Sequence, residues 1–271
     1  MAPVRDRVEA AEQNYFAAWK LLVDRAPECL VEETDDVLFT FVPGQVAYFN
    51  SAFVKPPADP ATCLAPIEAF YAARRVPFTV RFRSSPGSDV LSQAPGFTLA
   101  GRSPLMNAAI DDIAPPAGFD IKRVETENWD DHVQALAAGF GMPIELTGRL
   151  FGAALAEAAE YAAFNAYVDG EVASTAALIV SDAVAGIYNV ATPDVFRRRG
   201  LGEATTRAAV AEGQRRGCVM STLQASDMGY PIYERMGFRT AATWTSLTST
   251  RPGSSRRGDG MTPAPPSYSD R

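Results

Sequence analysis

The chain has 271 residues, 47% hydrophobic and 21% charged, enough for one large or two ordinary cores and too apolar for an overall disordered polypeptide. The formal net charge is −7, and the last 21 residues carry four arginines against two aspartates, leaving −9 on the body to Thr250. An acidic body argues against nucleic acid, whose binding rests on phosphate neutralisation, and tolerates a cationic amine substrate.

Taken in order, Val4, Val8, Ala11, Tyr15, Ala18, Trp19 and Leu22 fall on one helical face and predict an amphipathic first helix. Val37 to Val42 and Val46 to Val54 read as strands around the turn signal Pro43-Gly44, and the prolines from Pro56 to Pro60 end that region. Thr62 to Arg75 reads as a helix with Pro66 interrupting it or in its first turn, Phe78 to Phe82 as a strand, Ser88 to Ala94 as a short helix, and Gly96-Phe97 as the start of another strand. Ile113-Ala114-Pro115-Pro116-Ala117-Gly118 is a linker. Beyond it come a strand (Phe119 to Glu125), two helices (Trp129 to Phe140 and Pro143 to Glu160) and a hairpin of Ala162 to Val168 with Glu171 to Val180 around Asp169-Gly170. The tail from Arg251 is rich in Ser, Gly, Pro and Arg and reads as disordered.

The stretch from Asn189 to Gly202 joins an apolar strand, Val184 to Val190, to a helix with Leu201, Ala204, Thr205, Ala208 and Ala209 on one face. Between them lie Arg197-Arg198-Arg199-Gly200-Leu201-Gly202. A helix start offers four unpaired N–H groups and about half a positive charge, and glycine lets an anion approach closely, so the joint reads as a diphosphate cradle. It is not a Walker loop, because Glu203-Ala204 follows Gly202, and not a dinucleotide fingerprint, because Thr205 stands where the third glycine belongs. A capped helix start with solvated arginines is the bland alternative. The next strand, Val219 to Gln224, leads through Asp227, a plausible N-cap, to Tyr233-Glu234-Arg235-Met236-Gly237-Phe238, where Gly237 fits a C′ glycine and Phe238 opens a strand to about Leu247.

The R-x-x-G-x-G loop followed at this separation by Tyr-x-x-x-Gly-Phe resembles the GNAT superfamily of acyl-CoA-dependent N-acetyltransferases, over roughly Phe119 to Thr250. The resemblance implies an α+β fold, a mixed twisted sheet with flanking helices. Phe78 to Phe97 is similar in layout to Met220 to Phe238, which suggests a tandem of a degenerate GNAT-like unit (1–117) and a complete one (118–250), followed by a disordered tail (251–271). In the first unit Ser92 stands where Tyr233 stands in the second, and no basic glycine loop precedes Thr62. An unrelated N-terminal α+β domain is the alternative.

The family likeness implies acetyl transfer from acetyl-CoA to a small-molecule amine or a peptide; no activated nucleophile is evident, so transfer is expected to be direct, and no metal, nucleic-acid or membrane partner is expected. Arg197, Arg198, Arg199, Gly200, Leu201 and Gly202 would hold the CoA diphosphate, with the arginine that faces it left open. The main chain of Val190, Ala191 and Thr192 would bind the acyl carbonyl and pantetheine amides. Tyr233 would be the general acid at the departing sulfur, with core packing as its plain alternative. Ser226 stands where many relatives have an asparagine that contacts CoA, which leaves its role in doubt. Relatives often place a basic carboxylate where this chain has Tyr188-Asn189, so no general base is named; Glu125, Glu160 or a water relay stay open. A catalytically silent CoA-binding regulatory module, or a partner-binding one, is the rival function.

Cys29, Cys63 and Cys218 are few, odd in number and widely spaced, which fits a reduced, cytoplasmic setting and buried thiols. His132 is the only histidine, which excludes a multi-histidine metal centre and reads as an ordinary surface or boundary side chain. No apolar run approaches the roughly 20 residues of a membrane span, and the N-terminus lacks the apolar core of a signal peptide. Oligomeric state is not legible.

Overall fold

The computed structural model describes residues 7–85, 91 and 94–250. In chain order the elements are α1 (Arg7–Asp24), β1 (Leu30–Glu33), β2 (Val37–Phe41), β3 (Ser51–Val54), α2 (Pro60–Arg74), β4 (Thr79–Arg83), β5 (Phe97–Ala109), β6 (Asp120–Arg123), α3 (Trp129–Phe140), α4 (Ile144–Leu150), β7 (Tyr161–Val168), β8 (Glu171–Ser181), β9 (Val184–Ala191), α5 (Leu201–Arg215), β10 (Met220–Gln224), α6 (Tyr230–Arg235) and β11 (Arg239–Ser249). They form two compact units, Met1–Pro27 with Leu105–Ala241, and Glu28–Pro104 with Ala242–Arg271. Each unit thus includes a segment remote in sequence from the rest of it, α1 in the first and most of β11 in the second.

In the first unit the strand order is β5-β10-β9-β8-β7-β6. All pairs are antiparallel except β9 and β10, which α5 connects as a parallel crossover. Alternation along β9 sends Ala185 and Ile187 into the core formed with Ala208, Ala209 and Val210 of α5, Leu178 and Leu223. Small side chains permit the close approach: a Cβ on Gly213 would fall 2.5 Å from that of Ala185. The opposite face meets α1, where the fully buried Asn14 donates Nδ2 hydrogen bonds to the carbonyls of Ile179 (3.0 Å) and Val184 (3.2 Å), while its Oδ1 accepts from the Tyr188 hydroxyl at 2.7 Å. Asn14 therefore fastens the first helix to β8 and β9. Asn14→Ala should cost roughly 2–3 kcal/mol, since it orphans several buried groups at once. Urea unfolding with an unchanged midpoint would contradict that role.

In the second unit the order is β1-β2-β3-β4-β11. The β3 and β4 strands are parallel with α2 as their crossover, and β4 pairs antiparallel with β11. Ile67 and Tyr71 of α2 pack over Val37, Phe39, Ala52, Val54, Val80, Phe82 and Leu247. Both units therefore carry a parallel strand-helix-strand element flanked by an antiparallel strand, β11 beside β4 and β5 beside β10. The fold is α+β, a tandem of two GNAT-like units, each with mixed strands and flanking helices.

Most expected elements form, with physical reasons where they differ. Residues 46–50 turn instead of extending, because Asn50 Oδ1 accepts the Val42 N–H (2.9 Å) and Phe49 N–H reaches the Val46 carbonyl (3.2 Å). The acidic edge strand β1 was not legible, since only its pairing with β2 defines it. Pro66 lies inside α2, while Asp59 caps its start and Pro60 opens it. The single helix expected from Pro143 to Glu160 stops at Leu150 and resumes as a 3₁₀ turn at Ala153–Glu157. The Phe151 carbonyl, which a continuing helix would use, instead accepts Trp129 Nε1–H at 2.9 Å. The expected first residues of the N-terminal helix, the helix at Ser88 to Ala94 (apart from Leu91 and Ala94), the Ser92 comparison and the tail lie outside the described residues.

At the far end of α5, Glu212 accepts from Arg215 Nε and Nη2 (2.7 Å each) and Arg216 Nε (2.7 Å). The Arg215 contacts foremost, then those of Arg216, outweigh burial and lower its pKa from 4.5 to about 2. A depressed carboxylate stabilises above its unfolded pKa and loses that contribution as pH falls toward 2. Glu212→Gln should cost about 1–2 kcal/mol at pH 7, less than full linkage because Arg215 faces solvent, and nothing near pH 2. Parallel pH dependences of unfolding for the two proteins would contradict this.

Candidate active site

The parallel ladder of β9 and β10 runs from Val184↔Met220 to Ile187↔Leu223 and stops there. Strand β9 continues to Ala191, paired with β8 alone. Its register with β8 slips between Ala177↔Tyr188 and Thr175↔Ala191, and Asn189 sits at φ 55°, so two residues bulge against one. Past Ile187 the stretch that contains Val190 and Ala191 has no ladder partner in β10, so its β10-facing backbone groups are left out of the sheet pairing. Val190 is half-buried against the core that includes Tyr233 and Leu223.

Beyond Ala191 the chain makes a 3₁₀ turn, Asp194–Phe196, and enters α5 through Gly200 at φ 79°. No side chain caps this helix start. Ala204 N–H bonds the Gly200 carbonyl (3.0 Å), so the N–H groups of Leu201, Gly202 and Glu203 precede the first helical bond. Gly202 is pressed against the strand end: a Cβ there would stand 3.2 Å from Thr192 Oγ1 and 3.8 Å from Val190 Cγ1. Ser174 Oγ, fully buried on β8, bonds the Ala191 carbonyl (3.1 Å) and the hydroxyls of Thr192 (2.8 Å) and Thr205 (3.3 Å), which ties the bulged strand to the helix. Neither Ser174 nor the tying role of Thr205 was apparent from sequence, because hydroxyls in a strand and a helix carry no signal of a shared partner.

The three arginines separate. Arg197 is committed to the loop itself, with Nη1 2.7 Å from Asp194 Oδ1, Nε donating to the Thr192 carbonyl (3.1 Å) and Nη2 to the Gly139 carbonyl (3.4 Å). Arg198 and Arg199 are exposed, the latter with its guanidinium 5.9 Å from the Phe196 ring centre. Leu201 is buried among Ala166 and Ala173, so its main chain alone is available to a ligand.

The Tyr-x-x-x-Gly-Phe spacing has a structural cause. Helix α6 ends in a Schellman motif: Phe238 N–H donates to the Tyr233 carbonyl (3.0 Å) and Gly237 N–H to that of Glu234 (3.1 Å), with Gly237 at φ 104°. The Tyr233 and Phe238 rings meet edge-on at 6.1 Å, the apolar contact that accompanies the motif. Tyr233 is buried; burial raises its phenol to about 12, with the Thr206 hydroxyl opposing in part. Thr206 Oγ1 also bonds the Gly202 carbonyl (2.8 Å), so Tyr233 and the glycine loop share one neighbour. Ser226 Oγ accepts the Gly229 N–H at 3.2 Å and shapes the turn before α6. The expected cap at Asp227 is replaced by this bond, and Gly229 occupies the N-cap.

His132 is fully buried, contrary to the surface or boundary position expected, with Nδ1 2.7 Å from Thr175 Oγ1 and Nε2 3.0 Å from the Tyr161 hydroxyl. Burial lowers its pKa to about 3, against an opposing contact from Asn165, so it is neutral at pH 7. It braces β8 at the bulge. Among the described residues no group of three or more His, Cys, Asp or Glu is placed to hold a metal ion. No described helix is long and apolar enough to cross a membrane. Cys63 and Cys218 are buried and Cys29 half-buried, all as free thiols.

The second unit lacks these features at the corresponding place. Its parallel ladder covers the whole of β3, from Ser51↔Thr79 to Val54↔Phe82. The start of α2 is closed by the Asp59 carboxylate, which accepts the Ala61 N–H (2.9 Å), and by Pro60, which has no N–H. A carboxylate already occupies the position that a phosphate would need.

Residues 122–238 match the acetyltransferase (GNAT) family. The solved GCN5-related N-acetyltransferase from Kribbella flavida superposes with a TM-score of 0.68 at 21% identity, over 93% of this chain and 97% of that one. A GCN5-related N-acetyltransferase from Sphaerobacter thermophilus gives 0.57 at 16% identity, over 90% of each chain. A tandem GNAT protein from the clavulanic acid biosynthesis pathway gives 0.55 at 12% identity, over 89% of this chain and 93% of that one. No curated protein matches the sequence.

Proposed function

We propose that the chain transfers an acetyl group from acetyl-CoA directly to an amine, a small molecule or a peptide, in the cytoplasm. The observation that carries this reading is the stretch of β9 beyond Ile187, free of β10 and leading straight into the uncapped start of α5. The N–H groups of Leu201 and Gly202, with Arg198 and Arg199, hold the diphosphate; Arg197 keeps the loop in shape, and Gly200 supplies the left-handed turn. The main chain of Val190, Ala191 and Thr192 receives the pantetheine amides and polarises the thioester carbonyl. Ser226, whose oxygen already accepts Gly229 N–H, keeps its own proton to donate to CoA. The neutral amine attacks the carbonyl carbon, the C–S bond breaks to release the CoA thiolate, which the Tyr233 hydroxyl stabilises, and the proton lost by the nitrogen passes through water to solvent or to that thiolate. Of the two domains proposed in chain order, 1–117 and 118–250, only the C-terminal one, which carries the glycine loop, works. No carboxylate lies on β9, and that absence favours the rival, a CoA-binding module without turnover. Thiol release from acetyl-CoA across a panel of amines, with the acetylated product weighed by mass spectrometry, separates them. Release with an acetylated amine supports transfer; CoA binding without release on any amine supports the rival.

A further inference from the structure

The side of α5 away from β9 carries a feature that the transfer chemistry does not use. Leu201, the first residue of α5, packs over Ala166 of β7 and Ala173 of β8, with Ile121 of β6 alongside. The residue that leads into β6 is Phe119, a large apolar side chain left 42% exposed. Its ring tip, Cζ, stands 3.3 Å from where a Gly200 Cβ would be. An exposed phenylalanine is unremarked on most surfaces. This one borders the glycine that opens the anion cradle, next to the exposed Arg198 and Arg199.

A molecule held by its diphosphate at α5, with its thioester arm running to β9, has its other half at the mouth of the cradle, where the exposed Phe119 borders Gly200. For CoA that half is adenosine. We propose that Phe119 is the platform on which the adenine ring of CoA stacks. This rests on the CoA reading above. Adenine is flat and only weakly polar at its faces, and an aromatic ring binds such a base through dispersion and stacking without reading its edges. Phenylalanine offers a face and no hydrogen bond, so the contact fixes where the adenosine half lies and leaves the thioester end untouched.

The test is calorimetric titration of CoA into wild type, Phe119→Ala and Phe119→Tyr, with 4′-phosphopantetheine, which lacks adenosine, measured by competition. Alanine should weaken CoA by about fivefold or more, tyrosine should stay near wild type, and 4′-phosphopantetheine should bind wild type and the alanine variant alike. Equal CoA affinity for wild type and Phe119→Ala would overturn the platform while leaving the CoA site standing. An equal loss for CoA and 4′-phosphopantetheine would also overturn it, since the ring would then be shaping the cradle. A wild type that binds no CoA removes the cosubstrate reading itself, and this one with it.

Discussion

Tyr233→Phe should lower acetyl-transfer turnover by about tenfold to a hundredfold while CoA affinity changes less than about twofold. The substitution removes one hydroxyl and keeps the ring that packs on Phe238. General acid catalysis is typically worth about 10²- to 10⁴-fold. The low end applies here because burial puts the phenol near 12, whereas an alkyl thiol lies at about 8.5. Full proton transfer to a thiolate is then uphill by several kcal/mol, so the hydroxyl acts mainly by donating a hydrogen bond to the developing charge. The same value fixes the pH behaviour. A phenol that ionises near 12 stays a donor throughout pH 7–9, so the ratio of wild-type to variant rates should be flat across that range. Wild-type turnover in the variant, with an acceptor whose chemical step limits the rate, would leave Tyr233 a packing residue.

Gly200→Asp should weaken CoA by at least about tenfold, or 1.4 kcal/mol. Three effects add. The position has φ 79°, which costs any side chain about 1 kcal/mol, though Asp and Asn bear it best. A Cβ would press on Phe119 Cζ at 3.3 Å. The carboxylate would stand at a helix start that the proposed diphosphate needs. Gly200→Asn carries the strain and the contact without the charge, so the Asp-to-Asn difference isolates the electrostatic part. Equal affinities for Asp, Asn and wild type would remove this loop from the cofactor site.

The sequence carried those parts of the site that are written in local chemistry. Gly200 and Gly237 both have positive φ, a demand that local sequence announces, and the second fixes the distance from Tyr233 to Phe238 through one terminating motif. The hairpin at Asp169-Gly170 is legible for the same reason, with φ of 52° and 84°. What stayed hidden depends on partners far along the chain. Asn14 reads as a polar interruption of an amphipathic helix until Tyr188, some 170 residues later, is seen to need it. His132 is buried because Thr175 and Tyr161 satisfy both its nitrogens, and no local pattern forecasts that. The division of labour among Arg197, Arg198 and Arg199 likewise turns on the Gly139 carbonyl, contributed by a different helix.

The central claim is that one copy of the tandem holds CoA and the other is closed to it. The contrast is physical: β9 outruns its parallel partner and opens into a bare helix start, whereas β3 is laddered to its end and α2 begins with Asp59 and Pro60. Isothermal titration of CoA into the full chain tests this most directly. The account predicts a stoichiometry of one per chain, with that site weakened by Gly200→Asp. Two equal sites, or one site indifferent to Gly200→Asp, would contradict it.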